Sequence, residues 1–420
     1  MPADRATGGM LVARLDRIPV WSLPGLFIGI IGAGFLFTFY DIFDINVSFI
    51  QTCIAIVPGC TPESSAAHLG IPVLLNLLGY VIGTLALSPL ADRAGRRDLL
   101  LVTMLLTGIG SLLTAFVGNY GWFVAARTLT GIGIGADLAI VNTYVGEMAP
   151  RAGRAKYTAL IFVFSAVGAV AGIWLGLILT TPGTAFPLGL PFALAGHGFP
   201  WGWRLMYGIG GVLAFIGVLL RFRLPESPRW LVARGRIAEA ETVVAAMERH
   251  ASRRGTLPAP VPPVARATTR EALAYRAILG SAEYRRRTLI LLAMWFSSYI
   301  TVYAFAAGFT SVLAALRYPP PEAGLITAIG AFGFILCALA AYVWGERMER
   351  RLWLPLAAVL TVIGSLVVAL AGNAMVASVI GAAIVFFGFN LWVPIAYAWS
   401  AENYPTRART TGFALVDGIG

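Results

Sequence analysis

The sequence predicts an all-α membrane protein made of two parallel six-helix repeats, and three observations lead there. Hydrophobic residues form 58% of the 420-residue chain and charged residues only 12%, with a mean hydropathy of +0.79, whereas soluble domains carry roughly 25% charge. Apolar runs of about 20 residues, the length a helix needs to cross a bilayer, follow one another along the chain. Two charge motifs of the first half return in the second at a common offset.

Residues 1–24 place Arg5, Arg14 and Arg17 ahead of the first apolar run without a small-residue cleavage site, so they read as a retained cytoplasmic tail and not as a signal peptide. Spans are expected near 25–48, 71–91, 98–118, 121–147, 157–180, 203–222, 288–314, 322–345, 352–372 and 374–401. An eleventh opens near Thr410 and reaches Gly420 in mid-helix. Of the 31 basic residues, all but Arg127, Arg204 and Arg317 fall in the tail or in the loops around 92–98, 149–156, 221–287, 346–351 and 405–409. Every second loop is basic. The positive-inside rule then puts the N-terminus in the cytoplasm of a multi-pass protein of the plasma membrane, the inner membrane in a bacterium. The same clustering accounts for the net charge of +11 without a nucleic-acid partner. Between the halves, ESPRWLVARGRIAEAETVVAAMERH reads as one or two amphipathic helices, TLPAPVPPVA as a Pro-rich linker and TTREALAYRAILGSAEYRRR as a return to helix. The expected organisation is a tail (1–24), an N-terminal six-helix bundle (25–222), a cytoplasmic helical loop (223–287) and a C-terminal bundle (288–420) holding helices seven to part of eleven.

DRAGRR, with Asp92, Arg93, Arg96 and Arg97, follows the second span, and ERMERR, with Glu346, Arg347, Arg350 and Arg351, follows the eighth, 254 residues on. EMAPRAGR, with Glu147, Pro150 and Arg154, follows the fourth span, and ENYPTRAR, with Glu402, Pro405 and Arg409, follows the tenth, 255 residues on. Parallel repeats of this kind belong to transporters whose substrate site lies between them near the midplane. Projecting the period from the end of the sixth span, near 222, puts the end of a twelfth near 476, so the chain is expected to be truncated within helix eleven.

LADRAGRR at 90–97, RTLTGIGIGADL at 127–138, YVGEMAPRAGRA at 144–155, LPESPRWL at 224–231 and SAENYPTRARTTG at 400–412 extend over nearly the whole chain. In them the sequence resembles the major facilitator superfamily, and within it the sugar porters and the related metabolite:proton symporters. The resemblance implies twelve helices, alternating access and a cytoplasmic charge gate. Two departures narrow it. The glutamines that hold the sugar in helices five and seven of sugar porters have no counterpart in ALIFVFSAVGAVAGIWLGLIL or MWFSSYITVYAFAAGFTSVL, which disfavours a hexose. Asp137, after GIGIGA, is similar to the helix-four pattern of aromatic-acid and metabolite:proton symporters. The fifth span lacks the Gly-Pro signature of drug antiporters, and its Gly168, Gly172 and Gly176 are spaced for close helix packing. Ser88 stands where the family has Gly.

The first span ends in TFYDIFDINVS, with Asp41 and Asp44 a turn apart. A mid-membrane charge costs about 2.5–3.5 kcal/mol on the insertion scale, so the two acids require a partner or a cavity. At helical rise Asp41 and Asp44 stand about 24 and 28 Å above the cytoplasmic start of their span, and Arg127 stands about 30 Å above the end of the fourth. A carboxylate–guanidinium pair is therefore expected, with Asp44 either joining it or lining a vestibule. Drawing Arg127 away would let the desolvated acid take a proton. The resemblance implies the same role, since a helix-one Asp after an aromatic is linked to a helix-four Arg in proton-coupled sugar porters. Asp137 is expected about 15 Å into the membrane, at the substrate site. Asn142, Trp295, Tyr299, Tyr303, Asn390 and Trp392 are further candidate lining residues, and Asp417 is an intramembrane acid of unassigned facing. Asp92, Arg96, Glu147, Arg154, Glu226 and Arg229, with Glu346, Arg350, Glu402 and Arg409, are the candidate gate, each surface pair adding about 0–1 kcal/mol.

Lys156 is the single lysine and has no Gly-rich loop before it, which excludes a phosphate loop for ATP. His68, His197 and His250 have no metal-site spacing, and no nucleophile–base set points to an enzyme. Cys53 and Cys60 share the first outer loop, where a disulfide is permitted, and Cys337 reads as core. The expectation is a monomeric secondary active transporter in the lipid bilayer. It moves a small polar metabolite, an organic or aromatic acid foremost, with a proton as coupling ion and no cofactor or metal. A sugar porter, an uncoupled facilitator, and a sensor or inactive fragment are the alternatives.

Overall fold

The computed structural model describes residues 2–19, 24–150, 154–195, 199–261, 278–345, 347–372, 374–404 and 409–419. Its named elements are all helices: α1 (Pro2–Asp16), α2 (Gly25–Ile56), α3 (Ser65–Ala94), α4 (Arg96–Phe116), α5 (Tyr120–Met148), α6 (Arg154–Thr180), α7 (Gly202–Arg221), α8 (Pro228–Ala233) and α9 (Ile237–Ser252) in the first part of the chain. The second part holds α10 (Ala282–Ala315), α11 (Pro320–Gly330), α12 (Phe332–Trp344), α13 (Arg350–Leu370), α14 (Met375–Gly388), α15 (Val393–Glu402) and α16 (Arg409–Ile419). Among the described residues ten stretches are long and apolar enough to cross a membrane, α11–α12 and α14–α15 each counting as one. Helices suit that solvent because they satisfy their own backbone donors and acceptors.

Three features depart from the spans expected above. Helix α2 continues to Ile56, beyond the expected stop at 48. The polar residues that lower hydropathy there are absorbed by the helix itself: Ser48 Oγ donates to the Asp44 carbonyl at 2.6 Å and Thr52 Oγ1 to the Ser48 carbonyl at 2.9 Å. The eighth and tenth spans are each broken, at Ala331 and over residues 389–392. The tail contains α1, whose Leu11 is buried with Trp230, Leu231 and Ala240 of α8 and α9. Charge pairs fix the same contact, Arg14 and Arg17 each 2.7 Å from Glu248 and Arg229 2.6 Å from Asp16.

Below, the basic end is the one where α3 meets α4 and α7 meets α8; the far end is opposite. At the basic end Gly95 joins α3 to α4 with φ 118°, and a Cβ there would collide with the Glu226 carboxylate. Helices α3 and α5 approach closely because Gly79 and Gly83 of one and Gly131 and Gly135 of the other each lie on a facing backbone carbonyl, with no room for a Cβ. Gly168 of α6 lies on the Leu36 carbonyl of α2 in the same way. The two halves meet through rings: Phe39 and Phe43 of α2 stand 6.1 and 5.7 Å from Phe334 of α12, and Phe162 of α6 stands 5.7 Å from it. Cys53 and Cys60 are joined in a disulfide. Cys337 is buried in α12.

Candidate functional site

Helix α5 carries Arg127 inward to both acids of α2. Its Nη1 lies 3.4 Å from Asp41 Oδ2 and 3.4 Å from Asp44 Oδ1, and its Nη2 donates to the Asp41 carbonyl at 2.9 Å. All three side chains are 3% exposed or less. The ring of Tyr207 lies 5.5 Å beneath the guanidinium, and Ser111 of α4 donates to Asp41 Oδ1. Asp44 is served differently. Neither of its carboxylate oxygens has a hydrogen-bond partner among the described residues. Two carboxylates share one guanidinium, so the cluster with all groups ionised holds one uncompensated negative charge.

Asp137, expected at the substrate site, lies elsewhere in the bundle. It forms a two-pronged ion pair with Arg221 at the end of α7, Nη1 to Oδ1 and Nη2 to Oδ2, the second at 2.9 Å. Both side chains are fully buried. Thr103 adds a hydrogen bond to Asp137 at 2.7 Å, and Arg221 Nη1 also donates to the Leu100 carbonyl at 2.8 Å. Arg221 belongs by sequence to the basic loop, yet its side chain turns back into the first half, where Gly34 leaves space that a Cβ would fill. Asp137 therefore spends its charge on a neighbouring helix and does not line the central cavity.

That cavity lies between the halves. Its wall is aromatic and aliphatic: Phe39, Phe43, Phe162, Tyr299, Tyr303 and Tyr397, with Leu138, Val302 and Val393. Asn390 supplies the amide. It sits in the break between α14 and α15, is 3% exposed, and its Nδ2 has no partner among the described residues. A broken helix at mid-membrane is where a transport fold exposes polar groups to a ligand. Of the other candidates, Trp295 and Trp392 pack behind the wall with ring centroids 4.9 Å apart, their indole N–H groups donating to Ser400 Oγ and the Phe389 carbonyl at 2.9 Å each. Asn142 donates to the Leu138 carbonyl of its own helix at 2.9 Å. A second crevice, bordered by Arg127 and Asn76, shares Ile42 and Tyr303 with the cavity.

Residues 26–419 match the sequence model of a family described as sugar (and other) transporter. The chain belongs to that family. It is a multi-pass membrane transporter of sugars or other metabolites in the major facilitator superfamily, and not an enzyme. A putative metabolite transport protein, YyaJ of Bacillus subtilis, is 27% identical over 97% of this chain and 85% of its own length. The niacin transporter NiaP of Acinetobacter baylyi is 26% identical over 98% and 87%. Among solved structures, the proton:xylose symporter XylE of E. coli superposes with a TM-score of 0.69 at 20% identity, covering 94% of this chain and 85% of that one, a likeness of fold.

At the basic end of this transporter the motif charges converge. Arg96 lies 2.7 Å from Asp92 and 3.1 Å from Glu147, and Arg229 donates to the Glu147 carbonyl at 3.0 Å. Glu226 accepts from the backbone N–H groups of Arg96 and Arg97 at 3.1 and 3.2 Å, capping the N-terminus of α4 where the helix dipole favours an anion. Burial pushes its carboxyl above the usual carboxylate range, and the N–H donors of Ser227, Arg97 and Arg96 offset only part of that. Among the described residues none of these ion pairs joins the first half to the second. The side chains of Arg154, Glu346, Arg350, Glu402 and Arg409 lie outside the described residues.

Four residues of this geometry escape sequence reading: Arg221, Asp16, Glu248 and Asn46, the last described below. Each sits in a polar segment, closes an apolar run beside a basic loop or carries no charge, so apolar-run analysis gives it no weight.

Proposed function

We propose that this transporter is a proton-coupled symporter of a small aromatic or organic acid, with its basic end in the cytoplasm. The observation that carries the reading is the buried two-to-one cluster of Asp41, Asp44 and Arg127. A buried excess charge is costly, and one proton removes it. Asp44, without a hydrogen-bond donor of its own, is the acceptor, while Asp41 keeps Ser111 and the guanidinium. Ile42 and Tyr303 border both the cavity and the crevice at Arg127, so a substrate pressing on that shared wall alters the grip of Arg127 on the acids. Loading of cavity and cluster together then permits the switch between faces, as alternating access requires.

The cavity supports an aromatic substrate over a sugar. Six aromatic rings and one unpartnered amide offer stacking area with few polar contacts, whereas a polyhydroxylated ring needs a partner for each hydroxyl. The name of the relative NiaP, a niacin transporter, agrees with that chemistry.

The test is the external pH of a lightly buffered suspension of cells expressing the chain as pools of aromatic acids, aliphatic acids and sugars are added. Alkalinisation by the aromatic pool is expected. With Asp41→Asn the alkalinisation per substrate taken up should fall while labelled substrate still equilibrates across the membrane. Equilibration without pH change in both proteins would make this a facilitator and the cluster a structural feature.

A further inference from the structure

Asp417 on α16 is 1% exposed and plays no part in the cluster at Arg127. Its Oδ2 accepts from Tyr80 of α3 at 3.0 Å and its Oδ1 from Tyr299 of α10 at 3.1 Å. Tyr299 in turn lies 3.3 Å, oxygen to oxygen, from Tyr397 of α15. Tyr299 and Tyr397 both line the cavity. The carboxylate thus stands one hydroxyl behind the cavity wall, on a hydrogen-bonded chain that also reaches across to the first half through Tyr80.

We propose that Asp417 sets the hydrogen-bonding polarity of the cavity wall and thereby makes the binding of an acid substrate depend on a second proton; this rests on the aromatic-acid reading above. A tyrosine has one hydroxyl proton. With Asp417 ionised, Tyr299 gives that proton to Oδ1, Tyr397 gives its own to Tyr299, and both hydroxyls turn only lone pairs to the cavity. A substrate carboxylate finds no donor at these two hydroxyls and meets the negative charge behind. When Asp417 Oδ1 takes up a proton that enters from the cavity, its new O–H donates to Tyr299, the Tyr299 O–H turns to Tyr397, and the Tyr397 O–H, still bonded to its oxygen, turns to the cavity. One proton is taken up, none is lost, and the wall changes from acceptor to donor. Together with the unpartnered amide of Asn390 this gives a carboxylate two donors.

Among the described residues the carboxylate has no other charge to answer to. Helix α3 presents Tyr80, α10 presents Tyr299 and Tyr303, and α15 presents Tyr397. Helix α5 also packs on α16, and its charged side chains are engaged elsewhere: Arg127 with Asp41 and Asp44, Asp137 with Arg221, Glu147 with Arg96.

The experiment titrates the purified full chain in lipid nanodiscs with nicotinate, benzoate and 4-hydroxybenzoate, and with the amide of each, from about pH 5 to 9, following tryptophan fluorescence. A ligand bound with n protons loses affinity about 10ⁿ-fold per pH unit once the sites ionise. The wild type should show one more proton for each acid than Asp417→Asn, and the amides should bind both proteins with the same smaller dependence. Tyr299→Phe, which cuts the relay but keeps the acid, should also lose one proton, and it decides the matter if Asp417→Asn does not fold. Equal proton numbers for the acids in the wild type and the variants would overturn this proposal and leave the proposed function standing. Binding of neither acid nor amide by the wild type at any pH would overturn both.

Discussion

Asp137 and Arg221 are both fully buried, and their two-pronged pair joins α5 to α7 within the first half. Removing one member strands the other in a medium that cannot solvate it, whereas removing both leaves nothing to compensate. Asp137→Ala is therefore expected to destabilise the protein by about 3–5 kcal/mol, and Asp137→Leu with Arg221→Met to return to within about 1 kcal/mol of the wild type. Thermal unfolding in detergent checks this, and a double variant as unstable as the single one would show that the charge itself is required. The contrast with Asp41 and Arg127 explains what could be read in advance. Those two stand alone in apolar runs, and helical rise placed them at matching depth, so their meeting was legible. Arg221 closes an apolar run beside a basic loop, where nothing distinguishes a guanidinium pointing to water from one folded back beneath Gly34. Without that partner Asp137 reads in the sequence as an unpaired acid suited to the substrate site.

Between residue and bundle lies the small helical assembly at the basic end. Helix α1 is attached to α9 by Arg14 and Arg17 on Glu248. Burial alone would raise the Glu248 carboxyl, and the hydrogen bonds from Arg14 and Arg17 outweigh it, holding the group below its ordinary range. A lowered carboxylate contributes stability that is present above its unfolded value, about 4.3, and is lost as pH falls through the lower folded value. The contact should thus be intact at neutral pH and release α1 only below about pH 4. Glu248→Gln should release it at neutral pH, with backbone hydrogen exchange in residues 7–16 quickening about fivefold to thirtyfold for a loss of about 1–2 kcal/mol. Unchanged exchange in the variant would show that Leu11 and Trp230 hold the helix without the charges. The spans themselves were legible because each needs a long apolar run. The docking of α1 was not, since a short helix in a polar segment shows no such run. The breaks at Ala331 and at 389–392 lie inside apolar runs that hydropathy treats as continuous, which is why the setting of Asn390 emerged only with the structure.

At the scale of the whole molecule, the paired charge motifs announced two similar halves, but the rings of Phe39, Phe43 and Phe334 and the amide of Asn46, which join them, carry no charge and left no pattern. Toward the far end one side chain joins them. Asn46 of α2 donates from Nδ2 to the Phe305 and Ala306 carbonyls of α10 at 2.9 and 2.6 Å, and its Oδ1 accepts from the Thr310 backbone N–H and Oγ1 at 3.1 and 2.7 Å. The amide spans Ala306 and Thr310, the acceptor and donor of one i to i+4 step of α10, so it occupies a place that only a side chain with both a donor and an acceptor can fill. In the alternating-access cycle proposed above this contact breaks and re-forms in each turnover, and its strength biases which face opens. Each such hydrogen bond is worth about 0.5–1.5 kcal/mol net, and water replaces part of it on opening, so Asn46→Ala is expected to favour the far-end-open form by about 2 kcal/mol, roughly a thirtyfold change in population. Spin labels at the exposed positions Ile54 on α2 and Leu316 just beyond α10 report the opening directly: the variant should shift the distance distribution to longer separations, and Asn46→Gln, which keeps both functions on a longer arm, should shift it less. If both variants keep the wild-type distribution, the aromatic contacts of Phe39, Phe43 and Phe162 with Phe334 are what hold the halves, and the barrier to opening belongs to the apolar seam.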